Sequence, residues 1–333
     1  MARINLLAWD NQRGLTHDIN LLYRTLIGLG HRVDVTRLGP HRHDGRWQAS
    51  TARVRMWWQR LRHYDRKWTP YDMNIALEHV RPDWCALARL NLLVPNPEWL
   101  SPRSQRYLPR YDAVLCKTRY GVELFQALGL RALHIGFDSI DCLDSTVPRK
   151  ASFLHLAGAS RMKGTQRLLA LWRQHPEWPK LLVLQSPRTA KAPSGPTPAN
   201  IEHRLAHVSD ITEIRQLQNG HLFHLCLSET EGWGHYIVEA MSCGAVVITC
   251  DAPPMSELVH ADRGVLVEAI EKGAFNLASI SHFDECALEA VIAKLTSMPF
   301  SELALLGKRA REWFETNDAT FAERVQAALD QLA

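Results

Sequence analysis

The segment from Ser228 to Gly244 combines acidic side chains and glycines at a spacing suited to binding a nucleoside diphosphate. Glu231 stands directly before Gly232, Gly234 follows, and Glu239 comes eight positions after Glu231. An apolar run precedes this segment and predicts a strand, and its glycines are predicted to open a helix that carries Glu239. A glycine turn at a helix N-terminus presents free backbone N–H groups and a positive dipole, which attract a diphosphate. Glu239, on that helix, is placed to bind a ribose diol.

These residues need strands to position them, and the sequence pattern predicts two successive sets of alternating strands and helices. The first set begins with a βαβ unit, in which leucine-spaced positions from Ile19 to Leu29 predict a helix that ends at Gly30. The pattern restarts at residues 153–158, followed by a helix at 165–172. Further strands are predicted at 73–77, 113–116, 181–184, 222–227 and 246–249, and further helices at 120–128 and 211–217. The polar stretch 136–150 is the predicted linker, and 186–200, with four prolines, is a predicted mobile surface loop.

Composition limits the class of protein. The chain has 333 residues, 46% of them hydrophobic and 22% charged, with a net charge of +4, which is typical of a globular protein. No apolar run approaches the roughly 20 residues that span a bilayer, and the N-terminus does not predict a signal peptide. Seven cysteines without CxxC spacing favour a reducing compartment over a disulfide framework or a zinc cluster. We therefore expect a cytoplasmic enzyme of two domains.

The spacing of these motifs resembles the group 1 glycosyltransferases, which are retaining enzymes of the GT-B fold that use nucleotide sugars. Their signature is a Ser, Glu-Gly-x-Gly, a second Glu eight positions after the first, Ala-Met, a Gly, two valine-like residues and a Pro-x-x-x-Glu turn. This chain has every element, ending with Pro253 and Glu257. The segment from Leu156 to Gly164 resembles the Lys-Gly diphosphate clamp of the family, and the first βαβ unit is also similar. The resemblance is strong over about 150–260 and weak over 41–135.

The resemblance implies a fold and a reaction. The fold is α/β of the GT-B type, with two Rossmann-like, doubly wound domains facing an interdomain cleft. Residues 1–148 would form the acceptor-side domain and 149–333 the nucleotide-sugar domain, with the option that the last helix packs back on the first. The enzyme would be a hexosyltransferase-like protein that moves a sugar from a UDP- or GDP-sugar to a hydroxyl of a carbohydrate, a glycolipid or another acceptor, in the synthesis of a cell-surface polysaccharide or glycolipid. No cofactor and no metal are expected, since cationic side chains replace Mg²⁺ in this family.

The resemblance also implies roles for individual residues. Lys163 and Arg161 would meet the charge of the leaving diphosphate. The family commonly has an arginine where this chain has Ala159, so the sequence does not decide whether Arg161 supplies the second cation. Glu231 would contact the transferred sugar, and Glu239 the ribose. The catalytic residues implied are Glu231, Lys163, Arg161 and His79. The donor-binding residues implied are Gly14, Gly158, Lys163, His207, Val208, Gly232, Trp233, Gly234, His235 and Glu239.

Several residues of the first half are candidates for the acceptor side. His79 follows the strand 73–77, at the sheet edge where ligands of α/β proteins bind, and the alternative is a loop histidine without a role. His17 and Asp18 lie near the start of the first helix and are both candidates for acceptor binding, and the alternative for Asp18 is a helix cap. The loop that contains Asn96 and Glu98 is a further candidate for the acceptor side.

A basic, tryptophan-rich segment covers residues 41–68. Its net charge is +6, so the rest of the chain carries −2. Val54, Trp57, Trp58 and Leu61 recur at helical spacing, and arginines fill most of the other positions. The segment is either an amphipathic helix packed on its own sheet or a surface for an anionic membrane or a phosphate-bearing acceptor. The latter would place the enzyme peripherally at the inner membrane face, and nucleic-acid binding is not expected.

Two other functions remain open from the sequence. A Rossmann-type NAD-dependent oxidoreductase would share the fold class, but the turn after the first strand has Gly14 alone and not GxGxxG. A non-catalytic nucleotide-sugar-binding protein would keep the fold, and the presence of both Glu231 and Lys163 argues against it. The sugar, the acceptor and the linkage cannot be read from the sequence.

Overall fold

The computed structural model describes residues 1–9, 14–38, 42–62, 67–191, 197–208 and 210–332, with residues 14, 15 and 42–46 described by their backbone only. The chain forms two compact units. Met1–Phe137 and Thr320–Ala333 make the first, and Asp138–Ala319 make the second. The boundary between the two units therefore lies after Phe137, whereas the sequence predicted it after residue 148.

The first unit contains a sheet of parallel strands in the order β2-β1-β3-β4-β5-β6. Its strands are β1 (Arg3–Trp9), β2 (Arg32–Leu38), β3 (Tyr71–Leu77), β4 (Ala88–Val94), β5 (Ala113–Cys116) and β6 (Ala132–His134). Its helices are α1 (Gly14–Gly28), α2 (Arg42–Arg62), α3 (Pro102–Gln105) and α4 (Arg119–Ala127). Ile19, Leu22 and Leu26 of α1 are buried at helical spacing, and α1 contacts β1, β2 and β3. Just beyond α1, Gly30 adopts φ +82°, the left-handed conformation that stops a helix.

The second unit contains a larger sheet in the order β13-β12-β11-β10-β7-β8-β9, parallel except for the antiparallel pair β12–β13. Its strands are β7 (Lys150–Gly158), β8 (Leu181–Gln185), β9 (Ile201–Leu205), β10 (His221–Cys226), β11 (Val246–Asp251), β12 (Val265–Phe275) and β13 (Ala278–Phe283). Its helices are α5 (Thr165–Gln174), α6 (Ile211–Gly220), α7 (His235–Ser242), α8 (Met255–Leu258), α9 (Glu285–Ser297) and α10 (Phe300–Asp330), whose last residues group with the first unit.

The strand order of the second sheet determines where its ligand site can lie. β7 pairs with β8 on one side and with β10 on the other, so the chain leaves β7 and β10 in different directions. Open α/β sheets bind ligands at such a switch point, beyond the carboxyl ends of the strands. The segments that follow these two strands are 159–164 and 227–234, which hold Lys163 and Glu231. The α/β fold class with two Rossmann-like units is therefore confirmed.

Several predicted elements differ from the structure. The helix expected from Val54 to Trp68 begins earlier and ends at Arg62, while residues 63–66 lie outside the described residues. Part of the loop predicted at 186–200, residues 192–196, also lies outside them. Among the residues described, no single helix has the length and apolar composition of a membrane span, and α9 with α10 meets that requirement only as a pair bent by 113°.

Candidate functional site

The N-terminus of α7 opens on a glycine turn at the end of β10. Gly234 precedes the helix with φ +99°, and a Cβ there would stand 3.0 Å from Ile237 Cδ1, so a larger residue would be both strained and crowded. The turn leaves the first N–H groups of α7 without partners inside the helix, at the positive end of its dipole. This geometry, predicted from the glycine spacing, is an anion-binding arrangement.

Lys163 and Glu231 meet at this turn. Lys163 Nζ forms an ion pair with Glu231 Oε1, and both side chains are about 15% exposed, at 14% and 15%. Ser228 Oγ donates to the same carboxylate oxygen at 2.5 Å. The ammonium of Lys163 also lies 3.4 Å from the ring centroid of Tyr236, a cation–π contact. The structure therefore brings together two of the four predicted catalytic residues, Lys163 and Glu231, with Ser228 and Tyr236 as neighbours.

Gly164 allows the loop that carries Lys163 to pack closely against the end of β10. Its φ is +66°, and a Cβ at this position would stand 2.6 Å from the carbonyl oxygen of Leu227, which is less than atoms tolerate. The backbone N–H of Glu229 donates to the carbonyl of Met162 at 2.8 Å, so the two loops are joined directly. The glycine that follows Lys163 is thus required by the packing of the lysine loop against the end of β10.

Tyr236 stays a neutral phenol. Burial raises its pKa well above the ordinary value, and its hydroxyl shares a 2.5 Å hydrogen bond with Ser228. A neutral phenol beside Ser228 can orient the hydroxyl that donates to Glu231. Neither residue was predicted as part of the site, although both lie within the signature segment.

Glu239 lies further along α7, and its carboxylate is held in place by Gln218 of α6. Gln218 Nε2 donates to Glu239 Oε2 at 3.2 Å. The other carboxylate oxygen, Oε1, accepts no hydrogen bond from the described residues and is an acceptor that a ligand hydroxyl can use. Gln218 comes from a helix 21 positions earlier, and no signal in the sequence marks it.

Trp233 and His235 share one partner, Ser139. Trp233 Nε1 donates to Ser139 Oγ at 3.1 Å, and Ser139 Oγ shares a 2.8 Å hydrogen bond with His235 Nδ1. The indole is buried. Trp233 and His235, which were both predicted to bind the donor, are therefore held by Ser139, and the adjacent Asp138 is buried as well. Burial and the nearby Asp318 carboxylate raise the pKa of Asp138 to about 7.

The other predicted residues of the donor side lie at several places in the two units. Gly158 ends β7 with φ +54°. His207 and Val208 follow β9, where His207 is exposed and Val208 packs against a cluster of buried leucines. Arg161 does not join Lys163 and lines a separate cavity. Gly14 begins α1 in the first unit, and the loop before it, residues 10–13, lies outside the described residues.

A second cluster of polar side chains lies at the carboxyl edge of the first sheet. Glu78 follows β3 with φ +59°, an uncommon conformation for a residue with a side chain. Asn96 Nδ2 donates to Glu78 Oε2 at 3.1 Å, and His79 Nδ1 lies 3.6 Å from Glu78 Oε1. Burial raises the pKa of Glu78. The imidazole of His79 stacks on Trp9 at 5.7 Å, and burial together with Arg81 lowers its pKa.

A buried ion pair joins α1 to the segment after β5. Lys117 Nζ lies 2.5 Å from Asp18 Oδ2, and both side chains are less than 5% exposed. Lys117 also lies 4.4 Å from the ring centroid of Phe137. His17, one residue before, is half-buried, and Glu98 is buried in a short 3₁₀ turn after β4. The sequence pointed to Asp18 but missed Lys117, its partner 99 positions away.

Among the described residues, no group of three or more His, Cys, Asp or Glu side chains is arranged to hold a metal ion. The seven cysteines are free thiols.

Comparison with known proteins defines the class to which this geometry belongs. The fold resembles that of sucrose-phosphate synthase from Thermosynechococcus elongatus, with a TM-score of 0.68 and 15% identity over 100% of this chain and 99% of the other. It also resembles HepE from Anabaena in complex with UDP and glucose, with a TM-score of 0.66 and 16% identity over 99% and 100% of the chains. A third similar structure, an E. coli protein described as trehalose-6-phosphate bound with UDP-2-fluoro glucose, has a TM-score of 0.67 and 10% identity over 99% of both chains. These likenesses establish the fold, which is that of the GT-B glycosyltransferases.

The sequence of the second unit matches a family model. Residues 148–285 match the model of the glycosyl transferases group 1 family, and this segment contains Lys163, Glu231 and Glu239. The resemblance seen in the sequence is thereby confirmed. A search of curated proteins gave no match.

Proposed function

We propose that this protein is a glycosyltransferase that moves a sugar from a UDP- or GDP-sugar to an acceptor hydroxyl with retention of anomeric configuration. The observation that supports this most is the meeting of Lys163 and Glu231 beside the N-terminus of α7. A cation, a carboxylate and the backbone amides of a helix N-terminus stand close together, and a nucleotide sugar presents a diphosphate and sugar hydroxyls to match them.

For each chemical group of the nucleotide-sugar donor, the second unit contains a residue of matching chemistry. Lys163 and the amides at Gly234 and His235 would receive the diphosphate, whose negative charge grows as the bond to the sugar breaks. Glu231 would accept hydrogen bonds from hydroxyls of the transferred sugar. Glu239, oriented by Gln218, would bind the ribose diol. The nucleobase of the donor would lie against the backbone at His207 and Val208.

The first unit offers candidates for the acceptor. His79 keeps a neutral imidazole because its pKa is lowered, so it can accept or donate a hydrogen bond. Glu78 and Asn96 form a polar pair beside it. We propose that these groups, with Asp18 and Glu98 as further candidates, recognise hydroxyl groups of a carbohydrate or glycolipid acceptor.

The proposed reaction is a front-face displacement. The acceptor oxygen forms a bond to the anomeric carbon on the face from which the diphosphate leaves, and the bond between that carbon and the phosphate oxygen breaks. The acceptor proton passes to the leaving phosphate, so the reaction requires no protein base. We propose that it needs neither metal nor cofactor, because Lys163 and the α7 amides carry the charge stabilisation.

Ligand-induced melting separates this proposal from its rivals. A ligand at one hundred times its Kd stabilises a protein by about 2.7 kcal/mol, which raises the melting temperature measurably. UDP or GDP is expected to stabilise the protein and NAD is not. Stabilisation by NAD alone would favour a dehydrogenase. Binding of nucleotide sugars without turnover on any acceptor would favour a non-catalytic protein.

We also propose that α2 places the enzyme at an anionic membrane surface, as a cytoplasmic protein at the inner membrane face. Trp47, Trp57 and Trp58 are 73%, 56% and 62% exposed, so the tryptophan face of α2 is not packed on the sheet. Arg55 and Arg62 are exposed on the same helix. Exposed indoles beside arginines suit the interface of an anionic bilayer.

Sedimentation with lipid vesicles tests this surface. Each basic residue near an anionic membrane contributes about 1 kcal/mol, so the double variant Arg55→Gln/Arg62→Gln should bind phosphatidylglycerol vesicles about 30-fold more weakly at low salt. The variant Arg103→Gln/Arg106→Gln, with the same loss of charge on α3 and the residue that follows it, should bind as the wild type does. The membrane role would be contradicted if the two variants bound phosphatidylglycerol vesicles equally well. It would also be contradicted if the wild type bound neutral phosphatidylcholine vesicles as well as phosphatidylglycerol vesicles.

A further inference from the structure

The second unit holds a cavity of about 540 Å³ that the proposed donor site does not use. It lies between the N-terminal turn of α5 and the turn after β8, and its volume falls in the range of small-molecule sites. Arg161, Arg188 and Lys191 line it, whereas Lys163 and Glu231 do not. The cavity is therefore a separate feature of the same sheet edge.

The charge around this cavity is positive and largely uncompensated. Within the described part of the chain, Arg161, Arg188 and Lys191 form no ion pair with an acidic side chain. The one acidic residue in the lining is Glu229, which lies 3.6 Å from the imidazole of His282. Three cations facing one shared carboxylate create a positive potential that attracts anions.

Two residues of α5 add buried hydrogen-bond donors. Arg167 and Gln166 both line the cavity. The atoms Arg167 Nε and Gln166 Nε2 are buried and have no partner among the residues described. Arg167 Nη2 pairs with Glu285 at 3.0 Å, which holds the guanidinium at the cavity wall. A buried donor without an acceptor costs free energy, so an oxygen atom that reached either donor would gain a hydrogen bond that the described residues do not supply.

We propose that this cavity binds the phosphate group of a small molecule, at a site distinct from the donor diphosphate. Phosphate matches the observed features because it is anionic, accepts several hydrogen bonds and pairs well with arginine. The position of Arg161 agrees with this assignment, because the structure places Arg161 here and not beside Lys163. The site goes beyond the proposed transfer reaction and does not depend on it.

Titration calorimetry at low salt tests the site with three probes: inorganic phosphate, pyrophosphate and glucose 6-phosphate. The variant Arg188→Gln/Lys191→Gln should weaken the binding of the preferred probe by about 10-fold or more, because two charge-assisted contacts are lost. The variant Lys294→Gln/Lys308→Gln, with the same charge change on α9 and α10, should bind as the wild type does. Preference for glucose 6-phosphate over the inorganic probes would identify a phosphorylated sugar, and the reverse would identify a free anion.

A competition with UDP distinguishes this site from the donor site. Saturating UDP should leave the affinity for the preferred probe unchanged, and the Arg188→Gln/Lys191→Gln variant should keep its affinity for UDP. Displacement of the probe by UDP, equal weakening in the control variant, or no binding of any probe would overturn the inference. Failure of UDP to bind while the probe still binds would instead count against the proposed function alone.

Discussion

Replacing Lys163 with alanine removes a cation from the centre of the candidate donor site. The change breaks the ion pair with Glu231 and the contact with the Tyr236 ring, and it leaves Ser228 as the remaining partner of the Glu231 carboxylate. Because the pair is about 85% buried, the loss of one charged partner should cost about 1–3 kcal/mol of folding free energy. The fold should nevertheless persist.

The effect on catalysis should exceed the effect on donor binding. Loss of one electrostatic contact to a developing charge typically slows turnover by about 100-fold or more, equivalent to about 2.7 kcal/mol in the transition state. We therefore expect kcat at saturating donor to fall by at least that factor. Release of nucleoside diphosphate, followed at 25 °C in a coupled assay, measures it.

A matched control separates this role from general loss of charge. Lys294→Ala removes an exposed lysine on α9 of the same unit and should leave kcat unchanged. Unchanged turnover of the folded Lys163→Ala variant at saturating donor would refute the assignment of Lys163 to the leaving diphosphate. Urea denaturation of both variants establishes that each is folded under the assay conditions.

Three further predictions concern binding, backbone strain and pH. Glu239→Ala should raise the donor KM by about 10- to 100-fold with little change in kcat, since ribose is bound equally in ground and transition states; a collapse of kcat at constant KM would assign Glu239 another role. Gly164→Ala should lower the free energy of unfolding in urea by about 2 kcal/mol or more, because its Cβ would meet the carbonyl of Leu227 at 2.6 Å and φ is +66°, whereas Gly28→Ala, in open space on α1, should not destabilise the protein. Asp138 has a pKa raised to about 7 in the folded protein, so its contribution to stability is present at low pH and is lost as the pH rises through 7. Relative to Asp138→Asn, the wild type should lose stability between pH 4 and pH 8 in urea titrations, and parallel profiles would contradict the raised pKa.

Much of the fold could be predicted from local patterns. The apolar run at Ile4 and the helical spacing from Ile19 specify the first βαβ unit, and Gly30 marks the end of its helix because only glycine adopts φ +82° without cost. Strands β12 and β13 were missed, because the outer half of β12 is exposed and carries Glu271 and Lys272 where a buried strand would be apolar. The tryptophans of α2 were predicted to be helical, but their exposure depends on tertiary packing that spacing does not reveal.

Some residues of the candidate site could likewise be predicted from local sequence patterns, and others could not. Lys163, Glu231 and Glu239 could be identified because each lies in a compact motif whose spacing determines where it falls relative to a strand end. Their partners Ser139 and Gln218 could not, because the contacts form between segments far apart in sequence and depend on strand order. Arg161 illustrates the limit of spacing, since it lies two positions from Lys163 yet faces another cavity.

The proposed activity requires that the protein break the bond between a sugar and a nucleoside diphosphate. The most direct test is chromatographic measurement of UDP or GDP released from a panel of nucleotide sugars, incubated with a mixture of hydroxyl acceptors and either the wild type or Lys163→Ala. We predict that at least one donor that binds the wild type yields its nucleoside diphosphate, and that the variant releases it at least about 100-fold more slowly. Equal release by both proteins, or no release from any donor that binds, would contradict the proposed transfer reaction.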